Sequence, residues 1–153
     1  MTAEAAGAAS TRPARRRRPA RIWLAANHGA IGGGEVMLLQ TARALRELGH
    51  DVAIVAPSEP GDLVDAARAD GFATTALPAR DRAGWMRALR RWDATARRGV
   101  LWCHGLVPAA ATAGHLDRIV HLHQEPRGRA QRALAAAAKV GARAVLVPSE
   151  WMA

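Results

Sequence analysis

From residue 21 onward the chain repeats one pattern: a short apolar run, a turn rich in Gly or Pro, then an amphipathic stretch. The apolar runs fall at residues 21–26, 51–56, 73–77, 100–103, 118–122 and 144–147. Between them, residues 35–48, 63–68, 84–98 and 129–140 carry helical periodicity, clearest where Leu38, Ala42, Leu45 and Leu48 fall on one stripe. Strands that alternate with helices must run parallel, because each helix carries the chain back to the starting edge. Right-handed crossovers then place helices on both faces of the sheet. The expected fold is α/β: a Rossmann-like, doubly wound parallel sheet of about six strands. Residues 105–117 receive no element in this reading. Ser149 is expected to cap a further helix.

Length agrees with one such unit. The 153 residues, half of them hydrophobic, bury a core without disulfide or metal staples. No apolar stretch nears the ~20 residues that cross a bilayer. The run after Arg15–Arg18 ends at Asn27 and is shorter than a signal core, so no secretory leader is read. A single cysteine, Cys103, allows a reducing compartment, and the expectation is cytoplasmic, with peripheral contact at the inner membrane face left open.

The net charge is +9, and six of the arginines fall between Arg12 and Arg21. Residues 1–20 read as a disordered basic tail: a solvated start, or a segment drawn to anionic lipid or nucleic acid. No specific nucleic acid is assigned. Helix 84–98 combines Trp85 and Trp92 with five arginines. The preferred reading buries the Trp side in the domain and solvates the Arg side; an anionic membrane face is the alternative.

In an open parallel sheet, ligands bind beyond the carboxyl ends of the strands. Four of the six histidines, His28, His104, His121 and His123, fall at those ends. The first strand runs into Gly29-Ala30-Ile31-Gly32-Gly33-Gly34-Glu35, whose glycines allow close approach of a ligand to backbone N–H groups at a helix N-terminus. The spacing fits neither the dinucleotide G-x-G-x-x-G nor the P-loop pattern. His121 is expected to be a core histidine of its strand, and His123 a cleft residue able to donate a hydrogen bond or move a proton. His121 and His123, with His104 or Cys103, have zinc-ligand chemistry, but no second cysteine or spaced carboxylate completes the set, so no metal is assigned. His50 and His115 read as loop residues.

Gly32-Gly33-Gly34-Glu35, with Leu39, Ala42, Leu45 and Gly49-His50-Asp51-Val52, resembles the opening of family-4-type glycosyltransferases of the GT-B fold. Residues 119–126 (IVHLHQEP) and 145–150 (VLVPSE) resemble later strands of the same family, so the likeness covers most of residues 21–153. The resemblance implies transfer of a sugar from a nucleotide-diphosphate donor to an acceptor glycan, lipid or small molecule, with retention and without a catalytic metal or other cofactor. It implies an acceptor-side N-terminal domain in which Gly33 and Gly34 approach the donor diphosphate and His123, as the catalytic histidine, lies near the donor sugar. His28, Glu35, His104 and Glu125 are the acceptor-side cleft candidates. The family's second domain, with its E-x7-E donor motif, is not matched. Residues 21–153 are therefore expected to be one half of an enzyme, inactive alone and of low stability. The other readings are a nucleotide- or anion-binding module and a basic membrane or nucleic-acid adaptor.

Overall fold

The computed structural model describes residues 20–147. The basic tail up to residue 19 and the Ser149 cap lie outside the described residues. Six strands and five helices follow in strict order: β1 (Ile22–Ala25), α1 (Gly33–Glu47), β2 (Val52–Pro57), α2 (Asp62–Ala69), β3 (Ala73–Leu77), α3 (Arg82–Thr95), β4 (Val100–His104), α4 (Leu106–Ala111), β5 (Arg118–His121), α5 (Gly128–Lys139) and β6 (Ala142–Leu146). All strands pair parallel in the order β3-β2-β1-β4-β5-β6. The chain moves outward from β1 to β3, then returns to β4 on the other side of β1. Between β1 and β4 lies the topological switch point, where a doubly wound sheet opens a crevice at its carboxyl edge.

The reversal sends α1 and α2 to one face and α3, α4 and α5 to the other. Side chains alternate along each strand and so serve both faces. Leu24, Ala26, Ile54 and Ala56 pack with Leu38, Ala42, Leu63 and Ala67 of α1 and α2. Ala25, Val55, Leu101, Cys103 and Val120 pack with Trp85 and Leu89 of α3, with Val107 and Ala109 of α4, and with Ala135 and Ala138 of α5. Strand β2 is buried along its whole length, which explains why its sequence is an unbroken apolar run rather than an alternating one.

Helix α1 begins two residues earlier than the expected start at Glu35, because Gly33 and Gly34 form its first turn. Helix α3 also begins earlier than expected, with Asp81 as N-cap: its carboxylate accepts from the Gly84 N–H at 2.6 Å. The Trp side of α3 is turned inward and Arg87, Arg90 and Arg91 are exposed, as preferred from the sequence. The helix ends at Thr95, however, and Arg97 beyond it is drawn inward by buried Asp93 instead of being solvated. The unassigned segment contains α4. Its Pro108 sits in the first turn, where a missing N–H costs nothing because no intrahelical partner exists there. No helix among the described residues is long and apolar enough to cross a membrane.

Two buried polar centres tie the α3–α5 face together. Arg118, fully buried in β5, donates to the carbonyls of His115, Ala109, Ala138 and Val140 and to the Thr112 hydroxyl. Asp93 of α3 is also buried and pairs with Arg97 and with the His115 ring. His115, read as a loop residue, is thus a partner of a buried carboxylate.

Candidate functional site

The loop from β1 to α1 is held by its own polar groups. One oxygen of Glu35 accepts from the His28 N–H at 3.1 Å and the other from the Gly32 N–H at 3.3 Å. This is half of a capping box, since glycine has no side chain to return the bond. The His28 Nδ1 accepts from the Ala30 N–H at 3.0 Å. Gly29 lies so close to the following loop that a Cβ would overlap the Pro60 carbonyl, while its own carbonyl accepts from the Leu63 N–H at 2.9 Å. The loop is therefore a fixed scaffold, with Gly33 exposed at its tip and the first N–H groups of α1 lacking intrahelical partners.

Across the switch point, the Asn27 Oδ1 accepts from the Val107 N–H at 3.1 Å and so joins the end of β1 to the start of α4. Gly105 between β4 and α4 has φ +105° and lies where a Cβ would come 2.6 Å from that Asn27 oxygen, so the junction requires glycine. Asn27 directly follows the first apolar run, but nothing in the sequence marks it as the residue that closes the junction.

A cavity of about 370 Å³ opens here, lined among others by Asn27, Gly34, Glu35, Gly105, His123 and Glu125. A neighbouring one of about 240 Å³ is lined by His28, Glu59, Arg80 and Trp85, and the two share Asn27 and Arg82. Of the sequence-derived candidates, Gly34, Glu35, His123 and Glu125 thus meet in one cavity and His28 faces the adjoining one. Gly33 stands outside both. Arg80 and Arg82 were not singled out, although their position just past β3, at the carboxyl edge, is the signal that would have found them.

His104 lines neither cavity. It is 1% exposed, at the end of β4, with its ring stacked against Trp102 at 5.8 Å between centroids. The parallel register pairs His104 with His121, and His123 lies two residues on, on the same side of the chain. The three rings form one cluster, with centroids 5.3 Å apart for His104–His121, 5.4 Å for His104–His123 and 4.3 Å for His121–His123. His121 is only partly buried and points into this cluster rather than into a packed core. Cys103 points to the other face, where its Sγ meets the Thr112 Oγ1 at 3.5 Å, and so takes no part.

Burial, reinforced by the neighbouring imidazoles, lowers the His104 pKa from 6.5 to about 3. Burial also lowers His121, with His123 adding to the effect, and lowers His123. All three rings are therefore neutral at pH 7, each with one donor and one acceptor nitrogen. His123 meets the cavity as a neutral ring, not as a cation, with both nitrogens buried and its Cδ2 toward Gly34.

A protein-family model, Glycosyltransferase Family 4, matches residues 31–153. Among proteins with curated descriptions, none matches. The solved structure of Anabaena Alr3699/HepE in complex with UDP-glucose is similar to this chain with a TM-score of 0.60 and 15% identity, covering 82% of this chain and 36% of that one. The shared fold is the Rossmann-like unit of a GT-B glycosyltransferase.

Proposed function

Given that the chain belongs to glycosyltransferase family 4, we propose that it supplies the acceptor-side half of an enzyme that moves a sugar from a nucleotide-diphosphate donor to an acceptor hydroxyl with retention. The observation that carries this is the cavity at the carboxyl edge of the sheet, where Gly34 at the start of α1 lies opposite His123, with 3.9 Å between a Cβ built on the glycine and the His123 ring.

The chemistry fits the residues. When the bond between sugar and diphosphate breaks, negative charge grows on the leaving phosphate. The N–H groups of Gly33 and Gly34, at the positive end of the α1 dipole, can stabilise it. With its ring turned to bring a nitrogen to the cavity, a neutral His123 hydrogen-bonds to a donor-sugar hydroxyl without adding charge. His28 and Glu125 bound the space for the acceptor, and Glu35 holds the loop that presents the glycines. Most nucleotide contacts come from a second domain, and no metal or other cofactor is assigned to the transfer. The acceptor is a glycan, lipid or small molecule, reached in the cytoplasm or at the inner membrane face.

The test is transfer assayed on residues 1–153 and on the reading frame extended past Ala153, with UDP-, GDP- and ADP-sugars as donors. The extended protein is expected to transfer with the donor's anomeric configuration kept in the product, seen by NMR, and residues 1–153 to be inactive. His123→Ala in the extended protein should lower kcat/KM by about 10²–10³-fold, the usual effect of losing one such donor. An inverted product, or turnover by residues 1–153 alone, would sink the proposal.

A further inference from the structure

We propose that His104, His121 and His123 form a binding site for a divalent transition-metal ion of the zinc class, on the α1 side of the sheet and beside the larger cavity. The site is assembled by strand register. His104 and His121 end adjacent parallel strands as direct partners, and His123 follows on the same side of the extended chain. One ligand nitrogen from each ring lies within 4.8 Å of the other two.

The polar bookkeeping points the same way. Both ring nitrogens of His104, both of His123 and the Nδ1 of His121 are buried without a hydrogen-bond partner among the described residues. Buried polar atoms rarely remain unpartnered, and an ion held by one nitrogen of each ring gives up to three of these five a partner. His104 cannot turn to solvent for one, being 1% exposed and backed by Trp102.

The dimensions suit zinc. With Zn–N near ~2.0–2.1 Å and tetrahedral angles, ring centroids should stand ~5 Å apart and ligand nitrogens ~3.4 Å apart. The observed centroid distances of 4.3, 5.3 and 5.4 Å bracket the first value. The nitrogens, within 4.8 Å of one another, would have to draw together by up to ~1.4 Å to reach theirs. Imidazole ligands without a carboxylate favour Zn²⁺, Co²⁺, Ni²⁺ or Cu²⁺ over Mg²⁺ or Ca²⁺. Three protein ligands leave one position for water or another small ligand. Because His123 belongs to both cluster and cavity, an ion here also fixes the ring that the cavity presents.

The sequence alone did not assign this site because it shows only the His121–His123 pair and leaves His104 and Cys103 as alternatives. The register decides for His104 and turns Cys103 to the opposite face.

The experiment uses the tag-free 153-residue chain, stripped of metal and titrated with Co²⁺ and then Zn²⁺. The expected result is one Co²⁺ per chain, with the visible d–d bands of a four-coordinate nitrogen-ligated ion, displaced by one Zn²⁺. His121→Ala and His123→Ala should each weaken binding by more than the ~10–100-fold caused by losing an outer-shell partner. His50→Ala, on the exposed turn after α1, should leave it unchanged. Circular dichroism of each variant confirms the fold, and either cluster variant suffices if the other fails to fold. Absence of the d–d bands on the folded wild-type chain, or undiminished binding in a folded cluster variant, overturns the site.

Discussion

At the scale of single residues, small contacts set the carboxyl edge. Glycine at 105 is required twice over, by φ and by the approach of Asn27. Gly105→Ala should therefore destabilise the chain by about 2 kcal/mol in urea titrations, with strain and the lost Asn27–Val107 bond both contributing. Cys103 is fully buried, and burial raises its thiol from 9.0 to about 11. It should resist thiol reagents at pH 8 in the native chain and react at once in denaturant. Because the folded value is raised, this group's contribution to stability is complete below pH 9 and is lost as pH rises toward 11. A native thiol that reacts as fast as the denatured one would contradict that burial. The placement of the glycine-rich loop, His28, His123 and Glu125 at strand ends was legible in the sequence. The Asn27 junction was not, since an asparagine after a strand looks the same whether it faces solvent or binds a distant N–H.

At the scale of elements, helices α4 and α5 are held to β5 by a side chain that sequence reading placed merely at a strand start. Arg118 satisfies carbonyls of both helices, and a buried guanidinium is tolerated because its donors all find oxygen. Arg118→Leu should cost roughly 3 kcal/mol, by leaving the Ala109 and Ala138 carbonyls buried without this donor, and the loss is read as a lower urea midpoint. Asp93→Ala should cost about 3–5 kcal/mol, because Arg97 and His115 lose their buried carboxylate. A loss under 1 kcal/mol in either case would mean that water replaces the missing partner. Helix α4 itself escaped the sequence reading. It is short, it contains Pro108, and its small residues show little helical stripe; tertiary packing between α3 and α5 makes up for weak local preference.

At the scale of the whole molecule, one sheet is shared by two cores. Leu38 of α1 and Leu89 of α3 are both fully buried, on opposite faces. Leu38→Ala and Leu89→Ala should each cost about 2–5 kcal/mol and should lower the same transition, because neither face can come apart without the strands. Trp fluorescence, which includes buried Trp85 on the α3 side, should then coincide with far-UV circular dichroism in both variants. Separate transitions for the two probes would show that the faces unfold independently. The same sharing builds the cavity, since the reversal of strand order between β1 and β4 leaves α1 and α4 diverging over the carboxyl edge.

The α/β class, most element positions and the edge of the sheet where the candidate residues gather follow from sequence alone, because periodicity and turn residues are local properties repeated along the chain. The inward Trp side of α3 follows in the same way, from its apolar spacing. Strand order does not: β1 neighbours β4 because of how crossovers pack, which no local pattern encodes. Nor does the sequence decide that His104 leaves the cleft for a buried cluster with His121 and His123, or that Cys103 turns away from it. Those placements depend on the register of β4 against β5, where a shift of one residue would exchange His104 and Cys103 between the two faces.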